Sequence, residues 1–126
     1  EEAKPFCEFS KHKGISPIML IAPNTNNKRI KQISNLCDDL VYVVSILGIT
    51  GNRLSSKNQL SSYLNRVRDH SVSKFVVGFG ITSREDVKWF NKYSDGAVVG
   101  SAIIKNLAGK EDPIKTTYDF ITSLKG

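Results

Sequence analysis

The stretch Val76-Val77-Gly78-Phe79-Gly80-Ile81-Thr82 is an apolar run that ends in a pair of glycines, and it decides the fold. A second stretch, Ala97-Val98-Val99-Gly100-Ser101, repeats this pattern later in the chain. Each predicts a buried strand that is followed at once by a helix. Backbone N–H groups at the two helix starts would point into the same space, which predicts a phosphate site.

The rest of the chain repeats the unit of a strand followed by a helix. Continuous apolar runs predict four strands, at Pro17–Ala22, Leu40–Ser45, Phe75–Gly78 and Ala97–Gly100. The run at Pro17–Ala22 predicts a strand covered on both faces, as parallel strands are. A helix is predicted at Glu2–Lys13, before the first strand, and helical periodicity follows each strand. Such repeats imply a parallel sheet with right-handed crossover connections.

The predicted helices carry apolar residues on one face and polar capping residues at their starts. The apolar positions are Ala3, Phe6 and either Phe9 or Cys7 in the first helix, Ile30, Ile33 and Cys37 in the second, Leu60, Tyr63, Leu64 and Val67 in the third, and Ile114, Thr117, Ile121 and Leu124 in the last. The predicted caps are Asn24 or Thr25, Ser83 with Asp86, and Asp112 before Pro113. We expect at least one of Trp89 and Phe90 to pack a helix against the sheet, although the pair could also form a stacking platform.

The segment after the fourth strand favours a barrel over an open sheet. No GxGxxG motif follows the first strand, which argues against a dinucleotide-binding fold. A short helix is predicted at Ser101–Leu107, before the closing helix, and (β/α) barrels often bind phosphate with such an extra helix. A barrel needs eight strands. We therefore predict an α/β fold in which residues 1–126 form one truncated domain, the C-terminal half of a (β/α)8 TIM barrel with a short extra phosphate-binding helix.

Composition narrows the class of function. The chain has 126 residues, 40% of them apolar, and a net charge of +6. Its basic residues are scattered without an aromatic-interleaved stripe, so solvated helix faces explain them better than nucleic-acid binding. No apolar run is long enough to span a membrane, so we expect a soluble protein. Cys7 and Cys37 lie on apolar helix positions, which predicts reduced core thiols and no metal site.

The motifs together resemble the α subunit of tryptophan synthase over nearly the whole chain. They are Ile18-Met19-Leu20-Ile21-Ala22-Pro23-Asn24-Thr25, Tyr42-Val43-Val44-Ser45, Gly48-Ile49-Thr50-Gly51 with Arg53, Val77-Gly78-Phe79-Gly80-Ile81, and Val99-Gly100-Ser101-Ala102-Ile103. The pairing of the Gly-Ile-Thr-Gly loop with Gly-Phe-Gly-Ile is the most particular of them.

The resemblance implies a lyase of tryptophan biosynthesis that cleaves indole-3-glycerol phosphate to indole and glyceraldehyde 3-phosphate. It implies that backbone groups at Gly51, Gly80 and Gly100, together with Ser101, hold the substrate phosphate. By the same resemblance Tyr42, Phe79 and Ile81 line the active site, and Thr50 belongs to a mobile closing loop. The implied partner is a β subunit in an α2β2 tetramer. That subunit would carry pyridoxal phosphate, and no cofactor is expected in this chain.

No catalytic residue is assigned to this chain. Protonating the indole ring and deprotonating the glycerol hydroxyl require positioned carboxylates. The resemblance places these, a Glu and an Asp, in the first half of the barrel. The chain's own candidates, Asp38, Asp39, Asp69 and Asp95, precede strands and are interpreted as turn residues. His12 and His70 lie at helix ends and are interpreted as structural.

Three functions remain open from the sequence. The first is a part of the lyase that is inactive by itself. The second is a non-catalytic half barrel that binds phosphate and self-associates to close its sheet. The third is another phosphate-binding barrel enzyme, such as a sugar-phosphate isomerase. The chain starts without Met, so we expect a fragment. Abundant Lys and Asn suggest an AT-rich genome, and hence a plastid stroma or a bacterial cytoplasm.

Overall fold

Four parallel strands form one sheet in the order β1-β2-β3-β4 in the computed structural model, which describes residues 2–45 and 57–125. The strands are β1 (Met19–Ile21), β2 (Leu40–Val44), β3 (Lys74–Gly78) and β4 (Gly96–Val98). The described helices are α1 (Ala3–His12), α2 (Asn27–Leu36), α3 (Lys57–His70), α4 (Arg84–Phe90), α5 (Ser101–Leu107) and α6 (Pro113–Lys125). The predicted alternation of strands and helices in a parallel sheet is confirmed.

Local polar residues decide where the helices begin and end. Gly14 adopts a positive φ of 73° directly after α1, as predicted for its stop. Asp112 accepts a hydrogen bond from the backbone N–H of Lys115 at the start of α6. The predicted cap of α2 was wrong, because Asn26 caps that helix and accepts from the N–H of Arg29. Thr25 is engaged in a turn instead, since its hydroxyl accepts from the N–H of Ala22.

The core lies between the sheet and the helices α2, α3 and α4. Its fully buried strand residues are Ile21, Val41, Val43 and Val77, and they pack with Ile30, Leu64, Val67 and Phe90 from the helices. Phe90 therefore packs α4 against the sheet, as predicted, and the Trp89 ring meets it edge-on. Cys7 and Cys37 are buried and free, which agrees with the prediction of core thiols. Burial raises the pKa of the Cys37 thiol.

The face of the sheet that points away from this core is open, and here a prediction was wrong. The first strand was expected to be covered on both faces, yet Leu20 is 63% exposed. Leu20, Tyr42 and Val76 share one register and therefore one face, which continues to Val98 on β4. We call this surface the open face. No described helix covers it, and in β2 only the alternate residues Val41 and Val43 are buried.

The outermost helices also expose apolar residues that were predicted to be buried. Phe6 and Phe9 of α1 are largely exposed, whereas Cys7 of the same helix is buried. At the other end of the chain, Ile114 of α6 is exposed although Leu124 is buried. α1 and α6 are the first and last described helices, so each has a side that no described element covers.

Candidate functional site

The carboxyl ends of β3 and β4 lie side by side. Gly78 pairs with Val98 in the parallel register. Gly80 and Gly100 each follow that pair by two residues, and both are exposed. We call the edge formed by the strand ends the carboxyl edge. The structure therefore brings two of the predicted phosphate-binding residues to the same edge, and Ser101 follows Gly100 directly.

The turn after β3 has an uncommon backbone conformation. Phe79 has a φ of 97° and Gly80 a φ of 75°. A positive φ is uncommon for a residue with a side chain. The Phe79 side chain is 42% exposed, so burial of its ring does not explain the conformation.

Tyr42 lies on the open face, next to the start of that turn. Its ring passes over Gly78 of the neighbouring strand, so a Cβ added at Gly78 would overlap the Tyr42 hydroxyl and ring. A glycine is therefore required at this position if Tyr42 is to stay where it is. This contact places Tyr42, a predicted active-site residue, at the carboxyl edge.

Gly100 and Ser101 form the start of α5. Gly100 is the N-cap and offers no side-chain hydrogen bond, and Ser101 is the first helical residue and is exposed. A Cβ at Gly100 would meet nothing within 4 Å. The first N–H groups of a helix have no partner within it, so a start without a capping side chain presents donors outward. The predicted bounds of the short helix, Ser101–Leu107, are confirmed.

A capping box fixes the chain directly after the turn. The Ser83 hydroxyl accepts from the N–H of Asp86, and the Asp86 carboxylate accepts from the N–H groups of Ser83 and Thr82, each at 3.1 Å. This confirms the predicted box. Burial acts to raise the pKa of the Asp86 carboxyl, but the hydrogen bonds from Thr82 and Ser83 outweigh it and hold this pKa below its usual value.

Of the remaining predicted site residues, only Ile81 lies among the residues that the structure describes. Thr50 and Gly51, together with the rest of the Gly-Ile-Thr-Gly loop, lie outside the described residues. Ile81 is described, but it is buried in the core cluster. The roles of these three residues stay predictions.

Three polar residues that connect elements at the carboxyl edge were given no site role from the sequence. The Tyr63 hydroxyl of α3 donates to the carbonyl of Ile21 at 3.2 Å. Arg66, one turn later, donates to the carbonyls of Pro23 at 2.8 Å and Thr25 at 2.6 Å. The third residue is Ser45, which follows β2 and contacts the turn after β3. Two sequence features could have identified such residues. One is a polar residue at the end of an apolar run, such as Ser45, and the other is a polar group on the apolar face of a helix, such as the Tyr63 hydroxyl.

Asp38, Asp39 and Asp95 lie away from this edge, whereas Asp86 lies beside it in the capping box. Asp38 and Asp39 precede β2, where they contact Lys11 and Ser16, and Asp95 precedes β4 and accepts from the N–H of Phe75. These three confirm the predicted position before strands. Asp69 was predicted to be a turn residue, but it lies within α3, so that interpretation was wrong. Among the described residues, no group of three or more His, Cys, Asp and Glu side chains could hold a metal ion.

The strand order, the crossover helices and the glycine turns at the carboxyl edge define the class of the protein: it contains half of a TIM barrel. The particular family follows from comparison. The family model of the tryptophan synthase alpha chain matches residues 1–125, and the chain belongs to that family.

Individual relatives agree with this assignment. The chain is 39% identical to the tryptophan synthase alpha chain of Petrotoga mobilis over 99% of its own length and 50% of that relative. It is 42% identical to the alpha chain of Methanocaldococcus jannaschii over 83% of its own length and 37% of that relative. The chain thus spans half or less of the length of these curated relatives.

A solved structure shows the same fold. The structure of the tryptophan synthase α2β2 complex from Pyrococcus furiosus contains a chain that superposes with a TM-score of 0.82 at 33% identity. The match covers 98% of this chain and 51% of that one.

Within residues 2–45 and 57–125, every helix is too short or too polar to cross a membrane.

Proposed function

We propose that this chain supplies the phosphate-binding part of a tryptophan synthase alpha chain. The whole protein would cleave indole-3-glycerol phosphate to indole and glyceraldehyde 3-phosphate in tryptophan biosynthesis. Gly80, Gly100 and Ser101 would hold the substrate phosphate, together with Gly51. Tyr42, Phe79 and Ile81 would line the active site, and Thr50 would belong to the closing loop.

One observation carries this proposal: the parallel register of β3 and β4 places Gly80 and Gly100 at equal distances along the chain from the pair Gly78 and Val98. Two exposed glycine turns on neighbouring strands can present backbone N–H groups to one anion, because no Cβ blocks its approach. Ser101 adds a hydroxyl donor beside them. Such an array binds phosphate without requiring Lys or Arg.

The proposal is tested by titrating the isotope-labelled chain with glycerol 3-phosphate and following the backbone amide signals by NMR. The amides of Gly80, Gly100 and Ser101 should shift, and those of Ser94 and Gly96, at the amino end of β4, should not. Ser101→Ala should weaken binding roughly ten-fold, because a hydrogen bond to a charged group is lost. Ser123→Ala, an exposed serine on α6, is the matched control and should bind as the unmodified chain does. An absence of localised shifts would exclude the phosphate role.

The catalytic carboxylates would come from the half of the protein that this chain does not span. Asp38, Asp39 and Asp95 lie before β2 and β4, at the opposite end from the glycine turns, and Asp86, which follows the turn after β3, is engaged in the capping box. The partner would be a β subunit in an α2β2 tetramer, and pyridoxal phosphate would reside in that subunit rather than in this chain. The structurally similar chain from Pyrococcus furiosus belongs to an α2β2 complex, which supports this partner.

A second candidate function is favoured by the open face. Leu20 and Val98 expose apolar surface on it, and β1 and β4 each leave one edge without a strand among the described residues. A half barrel with these features would self-associate to cover both. Sizing chromatography at several concentrations separates the candidates, because a concentration-independent monomer would exclude self-association.

Family membership favours the lyase over a sugar-phosphate isomerase. The related alpha chains named above come from a bacterium and an archaeon. A plastid origin, proposed from composition, therefore stays a prediction.

A further inference from the structure

Ser45 makes three contacts with the turn that follows β3. It is fully buried at the carboxyl end of β2. Its backbone N–H donates to the carbonyl of Gly78 at 3.0 Å. Its hydroxyl lies 2.9 Å from the carbonyl of Gly78 and 2.9 Å from that of Phe79, and it can donate to either. A single side chain from the neighbouring strand thus engages two consecutive carbonyls of the turn.

The position of the Phe79 carbonyl in the turn determines which backbone N–H the Ser45 contact affects. In a trans peptide the C=O and the N–H of one unit point in opposite directions within one plane. The Phe79 carbonyl belongs to the same peptide unit as the Gly80 N–H. Since the Ser45 hydroxyl draws that carbonyl inward, the N–H of Gly80 is directed away from Ser45, toward the exposed side of the turn.

This contact also answers what holds the uncommon conformation of Phe79. Its φ of 97° is not one that an L residue adopts readily, and the ring is not buried enough to enforce it. The buried Ser45 hydroxyl contacts the carbonyls on both sides of Phe79, those of Gly78 and of Phe79 itself. Burial strengthens the effect, since the serine can satisfy its donor only within the protein.

We propose that Ser45 is a positioning residue, which orients the Phe79–Gly80 peptide so that the Gly80 N–H faces the substrate phosphate. The part of this proposal that concerns phosphate rests on the proposed function above. Ser45 itself does not touch the substrate and acts through the peptide that it holds.

Ser94 provides a matched control at the other end of the sheet. It is also buried, and its hydroxyl likewise lies near two carbonyls, those of Phe90 at 2.9 Å and Gly96 at 3.0 Å. It precedes β4, so it has no contact with the carboxyl edge. Loss of either hydroxyl should lower stability to a similar degree, but only Ser45 should affect the Gly80 amide.

The test compares Ser45→Ala and Ser94→Ala in the full 126-residue chain. The first measurement is the residual dipolar coupling of the Gly80 N–H, which reports the direction of that bond without any ligand. Ser45→Ala should change this coupling and Ser94→Ala should leave it unchanged. An unchanged coupling in a folded Ser45→Ala variant would overturn the proposal.

The second measurement is the affinity for glycerol 3-phosphate. Ser45→Ala should weaken binding ten-fold or more, and Ser94→Ala by less than two-fold. If the unmodified chain does not bind while the coupling still responds to Ser45→Ala, the proposed function fails and the control of the peptide by Ser45 stands. Should Ser45→Ala not fold, Ser45→Cys replaces it, because a thiol has nearly the same size but donates a much weaker hydrogen bond. A Ser45→Cys variant with unchanged coupling and affinity would again overturn the proposal.

Discussion

The two faces of the sheet are built from alternate residues of the same strands, yet their environments are opposite. Ile21 is fully buried beneath the helices, and Leu20, its neighbour in β1, is 63% exposed on the open face. Both residues are large aliphatics in one apolar run. An apolar run therefore predicts a strand. Whether each face of that strand is buried depends on which other elements pack against it.

The open face also explains where the candidate site lies. Tyr42 and Gly78 meet on this face at the carboxyl edge, beside the turn that carries Phe79 and Gly80. Parallel strands are normally covered on both sides. A face that remains apolar and open, with exposed glycine turns at its edge, is consistent with half of a barrel whose interior the described residues do not complete.

The largest expected effect separates the two faces directly. Ile21→Ala should lower the free energy of unfolding by about 2–5 kcal/mol, because it leaves a cavity in the core. Leu20→Ala should change it by about 0.5 kcal/mol or less, because that side chain is mostly exposed. Urea denaturation of both variants measures the difference. Equal losses would mean that the open face is covered in solution, for instance by a second copy of the chain.

A smaller effect is expected at the contact between Tyr42 and Gly78. Gly78→Ala should lower the free energy of unfolding by about 1–3 kcal/mol, because the added Cβ would overlap the Tyr42 ring. Gly100→Ala is the control. Its Cβ would meet nothing within 4 Å, and its φ of −119° lies outside the left-handed region, so stability should change by about 0.5 kcal/mol or less. A harmless Gly78→Ala would show that Tyr42 does not occupy this place in solution.

The smallest effect concerns the capping box that begins α4, a helix on the covered face. Asp86→Ala should cost about 1 kcal/mol at neutral pH, since the hydrogen bonds to Thr82 and Ser83 are lost. Glu85→Ala, in the same helical turn, should cost less because Glu85 is not the capping residue.

This effect should depend on pH. The folded-state pKa of Asp86 lies below the usual value of 3.8, so its contribution to stability is fully present above that value. It is lost as the pH falls through the lowered pKa of the folded state. The difference between the original chain and Asp86→Ala should therefore shrink below about pH 4 in thermal unfolding. A difference that stays constant down to pH 2 would contradict this role of the carboxylate.

Much of the fold could be predicted because local signals agree with the final packing. The capping box at Ser83 and Asp86 and the short helix after Gly100 depend on nearby residues, and both were predicted. The exposure of Leu20 and Phe6 could not be predicted, because it depends on which elements lie opposite them. The periodicity of apolar residues does not show which elements will pack against a given face.

The candidate site was predictable only in part for a similar reason. Gly80 and Gly100 end two apolar runs, which is visible in the chain itself. The contact of Ser45 with the turn joins residues 33 and 34 positions apart, so it arises only from the pairing of β2 with β3. A serine at the end of a strand gives no sign of which neighbour it will hold.

The most direct test of the account is an assay of indole release from indole-3-glycerol phosphate. We expect the 126-residue chain alone to release no indole, because our proposal assigns it the phosphate site and no catalytic carboxylate. Adding the remaining half of a related alpha chain, such as that of Petrotoga mobilis, should produce indole. Clear turnover by the 126-residue chain alone would contradict the account.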